Sequence, residues 1–111
     1  MNLALRKFKV KVLLPDMTIE LKKFGNMLIS RPAGKEALLV ARAYTLPKDA
    51  SEPIAFDFLG VDVLAPSWAD EFLTPLLDLL GKRLILMPTD NLSVHATLKI
   101  LQEANKKSYG S

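Results

Sequence analysis

The stretch Ile54 to Phe72, IAFDFLGVDVLAPSWADEF, decides how this chain folds. Ile54, Phe56 and Phe58 alternate with Ala55, Asp57 and Leu59, so both faces of the run are mostly apolar and Asp57 is the exception. That is the pattern of a central strand covered on both sides. Gly60 breaks the run, and a second apolar step from Val61 to Leu64 leads into Ala65, Pro66 and Ser67. From Trp68 the apolar residues Trp68, Phe72, Leu76 and Leu79 recur at the spacing of one helix face. Strand, tight turn and helix start follow one another, with Ser67 at the helix mouth.

Upstream, Phe8, Val10 and Val12 alternate with Lys7, Lys9 and Lys11, and Met17, Ile19 and Leu21 alternate with Thr18, Glu20 and Lys22. Two runs of period two joined at Pro15 and Asp16 predict an N-terminal antiparallel hairpin. Ser30, followed by Pro32 in the first turn, predicts a helix reaching roughly Tyr44, its start weakened by Gly34. A second helix is expected from about Ser67 to Leu80, with a kink or break at Pro75, where a missing N–H costs ~3 kcal/mol. Arg83 to Met87 then reads as a short strand. A last helix, capped by Asp90, carries the stripe Val94, Leu98 and Leu101 to about Lys106. Helices alternating with strands after a hairpin predict an α/β layer fold with a mixed sheet, the later strands parallel.

The 111 residues fit one domain, expected to be ordered over about 3–105 with 106–111 a frayed tail. Half the residues are hydrophobic, yet no window approaches the ~20 apolar residues of a membrane span. The N-terminal sequence lacks the layout of a secretory signal, and there is no cysteine for disulfides or thiolate metal sites. A cytoplasmic location is the expectation. The net charge of +3 hides a segregation: residues 1–23 carry six Lys or Arg against two acids, whereas residues 49–81 hold seven acids and no Lys or Arg. The central segment would repel a phosphate backbone, leaving the hairpin or the carboxy terminus for any nucleic-acid contact.

Asp57, Val61, Leu64 and Ser67 fall in a spacing that resembles the STAS pattern, in which a strand ends in aspartate and an apolar step leads to a serine-bearing turn that opens a helix. Phe24-Gly25, Leu28, Ser30-Arg31 and Ser67 to Phe72 are closer to a STAS-like family of unknown function, and the resemblance covers about Val10 to Ala104. It implies a non-enzymatic switch or adaptor domain that docks on a kinase-like ATPase or an anti-sigma-type partner, often under control of a phosphorylated serine at this helix mouth. Ala65, Pro66, Ser67 and Trp68 stand where the family usually has aspartate, two serines and glycine. The first serine position is therefore proline, and Ser67, matching the second, is the candidate phosphoacceptor.

Each candidate also has a plain reading. Ser67 with Asp70 three residues on matches a capping box, and Asp70 and Glu71 suit a helix N-terminus without any partner. Asp57 at the sheet's carboxyl edge is either a turn acceptor for backbone N–H groups or part of a ligand edge. Trp68 is core or a docking anchor. His95, the one histidine, has no nucleophile or second ligand placed beside it. Lys7, Lys9 and Lys11 are what an edge strand uses against edge-to-edge pairing, and few aromatics accompany them.

With no phosphate loop, paired catalytic carboxylates or nucleophile elbow, an enzyme is not expected, and no cofactor or metal is implied. The sequence therefore predicts a regulatory domain, monomer or weak homodimer, that binds a partner protein through residues 65–72, with Asp57, Ser67, Trp68, Asp70 and Glu71 as the contact set. The alternative is a basic nucleic-acid-associated protein using the hairpin.

Overall fold

In the computed structural model, residues 17–46 and 52–104 are described here. The alternation from Met17 forms β1, Met17–Glu20, which buries Ile19 and leaves Thr18 and Glu20 exposed. A 3₁₀ turn over Leu21–Phe24 follows, then β2, Met27–Leu28. Helix α1, Arg31–Val40, runs on through a π turn at Ala41–Thr45. Next come β3, Ile54–Asp57, β4, Val63–Leu64, and α2, Pro66–Leu80. A 3₁₀ turn over Gly81–Arg83, β5, Leu84–Leu86, and α3, Leu92–Ala104, complete the order.

Every strand pair among the described residues is parallel. One sheet has the order β1-β3-β5, with Met17 beside Ile54 and Ile54 beside Leu84; β2 and β4 form a second pair, with Leu28 beside Leu64. The expected antiparallel hairpin is not seen. Its second arm, β1, pairs in parallel with β3, and its first arm, Arg6 to Val12, lies outside the described residues, as does the 106–111 tail. Period-two alternation reports which side chains are buried, not the direction of the neighbouring strand. Here a helix separates each strand of the three-stranded sheet from the next, and a crossover of that kind joins parallel strands.

The core forms one hydrophobic cluster that draws on all three helices and on β1 to β4, with Leu84 of β5 packed against it. Phe56 of the central strand meets Phe72 of α2 at 6.0 Å between ring centroids, and Trp68 stacks above Phe72 at 4.8 Å. α2 continues through Pro75 to Leu80, with no break at the position expected to have one. Phe72, Leu73, Leu76 and Leu80 of that helix are all buried. At ~1.5–3 kcal/mol for each such side chain, their burial outweighs the ~3 kcal/mol that an interior proline costs.

Gly34, read as a weakness in α1, is what permits the helix pair to close. A Cβ there would lie 2.5 Å from the main-chain oxygen of Trp68. The two helices cross where a glycine, with no side chain, lets backbone meet backbone.

Candidate functional site

α1 starts as its sequence predicts. Ser30 is the N-cap, its Oγ accepts from the Ala33 N–H at 3.2 Å, and Pro32 occupies the first turn. α2 starts differently from expectation. Ala65 is its N-cap, with no side-chain cap, and Pro66 opens the helix, so Ser67 lies inside the first turn rather than capping it. Proline's preset φ opens the helix at Pro66, the cap falls two residues before Ser67, and Ser67 loses the capping geometry. Asp70 makes no return bond to a cap. Its Oδ1 accepts from the Thr74 hydroxyl at 2.9 Å, and its Oδ2 accepts from Arg31.

Arg31, the first residue of α1, ties the two helix starts together. Its Nη1 donates to Glu71 Oε2 at 2.8 Å and to Asp70 Oδ2 at 3.1 Å. Bonding to Glu71 first, and to Asp70 second, raises the arginine pKa above its ordinary value. The fork is solvent-exposed, so its energetic weight is small. Trp68 is 1 % exposed and packed against Phe24 and Phe72, so it belongs to the core. Of the predicted contact set, the structure thus gathers Ser67, Asp70 and Glu71 at one helix mouth, half-buried, and removes Trp68 from the surface.

The alternation of the short strands supplies what the sequence reading missed. Leu28 points into the core, so Met27 and Ile29 point out, 57 % and 45 % exposed. The register sets Met27 beside Val63, and the Ala65 N–H bonds the Leu28 carbonyl at 2.8 Å, which brings Ile29 alongside the approach to α2. Met27, Ile29 and Val63 therefore make a small apolar strip next to Pro66 and Ser67. The sequence carries no signal of it, since Met27, Leu28 and Ile29 are all apolar and nothing separates the buried one from the exposed two.

Asp57 lies elsewhere. Its Oδ1 accepts the Leu59 N–H at 3.0 Å at the end of β3, the turn-acceptor role. The turn Phe58 to Val61 closes with the Val61 N–H on the Phe58 carbonyl, and Gly60 has φ +90°, which a type II turn demands at that place. Opposite stands the loop from Pro88 to Asn91. There Asn91, not Asp90, caps α3: its Oδ1 accepts the Val94 N–H at 3.1 Å, while its Nδ2 donates to the Val61 carbonyl at 2.7 Å and the Asp62 carbonyl at 3.3 Å. An amide can accept for the helix and donate to the turn at once, which the Asp90 carboxylate could not. Between turn and loop is an open cleft of about 640 Å³, lined by residues that include Asp57, Leu59, Thr89 and Asp90.

α3 is further fixed by Ser93 and Thr97, whose hydroxyls bond the Leu64 main chain and so close the outer edge of β4. His95 is exposed, its Nε2 within hydrogen-bond distance of the Thr89 carbonyl. No group of three or more potential metal-ligating side chains, and no helix long and apolar enough to cross a membrane, occurs among the described residues. No family model, curated protein or solved structure matches this chain.

Proposed function

We propose that this is a non-enzymatic regulatory or adaptor domain of the cytoplasm that binds a partner protein at the mouths of α1 and α2. One observation carries the reading: Met27 and Ile29 stand exposed, Ile29 two residues ahead of Arg31, whose fork with Asp70 and Glu71 reaches the α2 mouth that carries Ser67. An apolar centre rimmed by both signs of charge is the make-up of a protein-binding patch. The contact is made by Met27, Ile29, Pro66, Ser67 and the two acids, with Trp68 supporting them from below. The STAS-like resemblance supports a kinase-like ATPase or an anti-sigma-type regulator as the partner. Ser67 is the candidate phosphoacceptor, and a phosphate there would meet repulsion from Asp70 and Glu71 but attraction from Arg31.

The test is site-specific photo-crosslinking in cells, with the probe at Met27, at Ser67 and, as control, at Leu39 on the outer side of α1. A discrete product from the first two sites that Ile29→Asp abolishes, without loss of fold by circular dichroism, is the expected result. Equal labelling from all three sites would show that the strip is ordinary surface.

A further inference from the structure

We propose that the cleft between the β3–β4 turn and the loop into α3 is a second docking site, which receives the basic side chain of an extended, partly apolar segment of a protein partner. The cleft opens at the carboxyl end of β3, the edge where parallel sheets bind their ligands. It shares only the Val61–Asp62 segment with the surroundings of β2, where the Asp62 N–H bonds the Asn26 carbonyl. It therefore stands or falls separately from the helix-mouth surface.

Charge selects the occupant. Asp57 uses one oxygen on the Leu59 N–H and has no cation beside the other among the described residues, and Asp90 has neither a hydrogen bond nor an ion pair among them. Among the described residues, Lys22 packs by the turn but does not neutralise them. Lys22 lays its stem against Gly60 and has its ammonium 3.9 Å from Glu20. A phosphate or carboxylate would meet two aspartates here, and Asn91 already occupies the Val94 N–H of the α3 start. A cation is favoured.

Shape and apolar rim decide between a free cation and one carried on a chain. Leu59, 74 % exposed and among the most exposed large hydrophobics described, lines the cleft on the turn side. A single exposed leucine on the surface needs no explanation, but one that lines an acidic opening, with Pro88 in the facing loop, offers an apolar seat for a neighbour of a basic residue. An ammonium or guanidinium alone would leave most of the ~640 Å³ and Leu59 unused.

The test is an amide-resolved NMR titration of the full chain with acetyl-Leu-Arg-Leu-amide, with its citrulline counterpart of the same shape but no charge, with N-acetylarginine amide and with magnesium chloride. The arginine peptide should move the amides of Leu59, Gly60, Thr89 and Asn91, and it should bind about tenfold more tightly than the citrulline peptide. Asp57→Asn combined with Asp90→Asn should erase that difference. Asparagine at 57 can still accept the Leu59 N–H, so the same spectra report an intact fold. Equal affinity for the charged and neutral peptides, or shifts at other amides, would overturn the proposal. So would N-acetylarginine amide binding as well as the peptide, or magnesium binding where the peptide does not.

Discussion

The mouths of α2 and α3 are built in opposite ways. α2 enters without a side-chain cap and is held by packing: Trp68, Ala69 and Phe72 are all buried, and its backbone touches α1 at Gly34. α3 enters with Asn91 bonded on both sides and Ser93 and Thr97 gripping Leu64, and the space in front of it stays open. Hydrogen bonds fix a helix start without filling the volume beside it, whereas packing fixes it by filling that volume. The α2 mouth can therefore offer a partner only its rim, and the α3 mouth can offer a cleft.

The contrast can be broken first at Gly34. In an open helix, Gly34→Ala would stabilise by ~0.8–1.0 kcal/mol, because alanine is the better helix former. Here the new methyl meets main chain at 2.5 Å, which no rotamer change relieves, so the substitution should instead destabilise by ~1–3 kcal/mol as the helices are forced apart. The sign of the change in urea denaturation decides. A stabilised Gly34→Ala would mean that the α1–α2 crossing is loose and that the α2 mouth is not closed by packing.

Asn91 sharpens the other side. Asn91→Ala removes a cap worth ~0.5–2 kcal/mol and two donors to the turn, and should cost about 2 kcal/mol. Asn91→Asp keeps the cap and removes only the donors, so it should cost about half as much. If Asn91→Asp instead melts with the wild type, the bonds to Val61 and Asp62 contribute nothing and the wall of the cleft is not held by them.

Much of the fold was legible because it rests on local pattern. The apolar run at Ile54, Phe56, Phe58, Val61 and Leu64 is buried throughout, and Ser30 with Pro32 starts α1 as read. The strand direction was not legible, since alternation carries no information on the neighbour. Nor was the α2 start, where Ser67 and Asp70 match a capping pattern but Pro66 opens the helix and moves the cap two residues earlier, to Ala65. The site was legible only in part. Ser67, Asp70 and Glu71 do meet, but the partner that joins the two acids, Arg31, comes from another helix. Asp57 and Asp90 share a cleft only because Asn91 sews the α3 start to the β3–β4 turn, a contact between segments far apart in the chain.

The smallest effect is expected where the structure shows the most visible polar contact. The Arg31 fork joins α1 to α2 with two short bonds, and if charge rather than packing held the α2 mouth, Arg31→Met would loosen it. The fork is exposed to water, and exposed pairs lose most of their attraction to solvent screening and to the freedom of the long side chain. Its raised pKa does not make it a switch. An arginine whose folded pKa is raised keeps its contribution below its ordinary value, far above neutrality, and loses it only as the pH rises through the folded pKa. Arg31→Met should therefore leave the urea midpoint nearly unchanged at neutral pH, and the small difference should vanish in ~1 M salt, where the screening length shrinks to ~3 Å. Binding is the sharper readout, because the same side chain rims the Met27 and Ile29 strip. A crosslink at Met27 weakened by Arg31→Met with an unchanged midpoint would show that the fork serves the surface and packing serves the fold. A midpoint lowered as far as by Gly34→Ala would mean instead that charge closes the α2 mouth, and the contrast between the two helix starts would be lost.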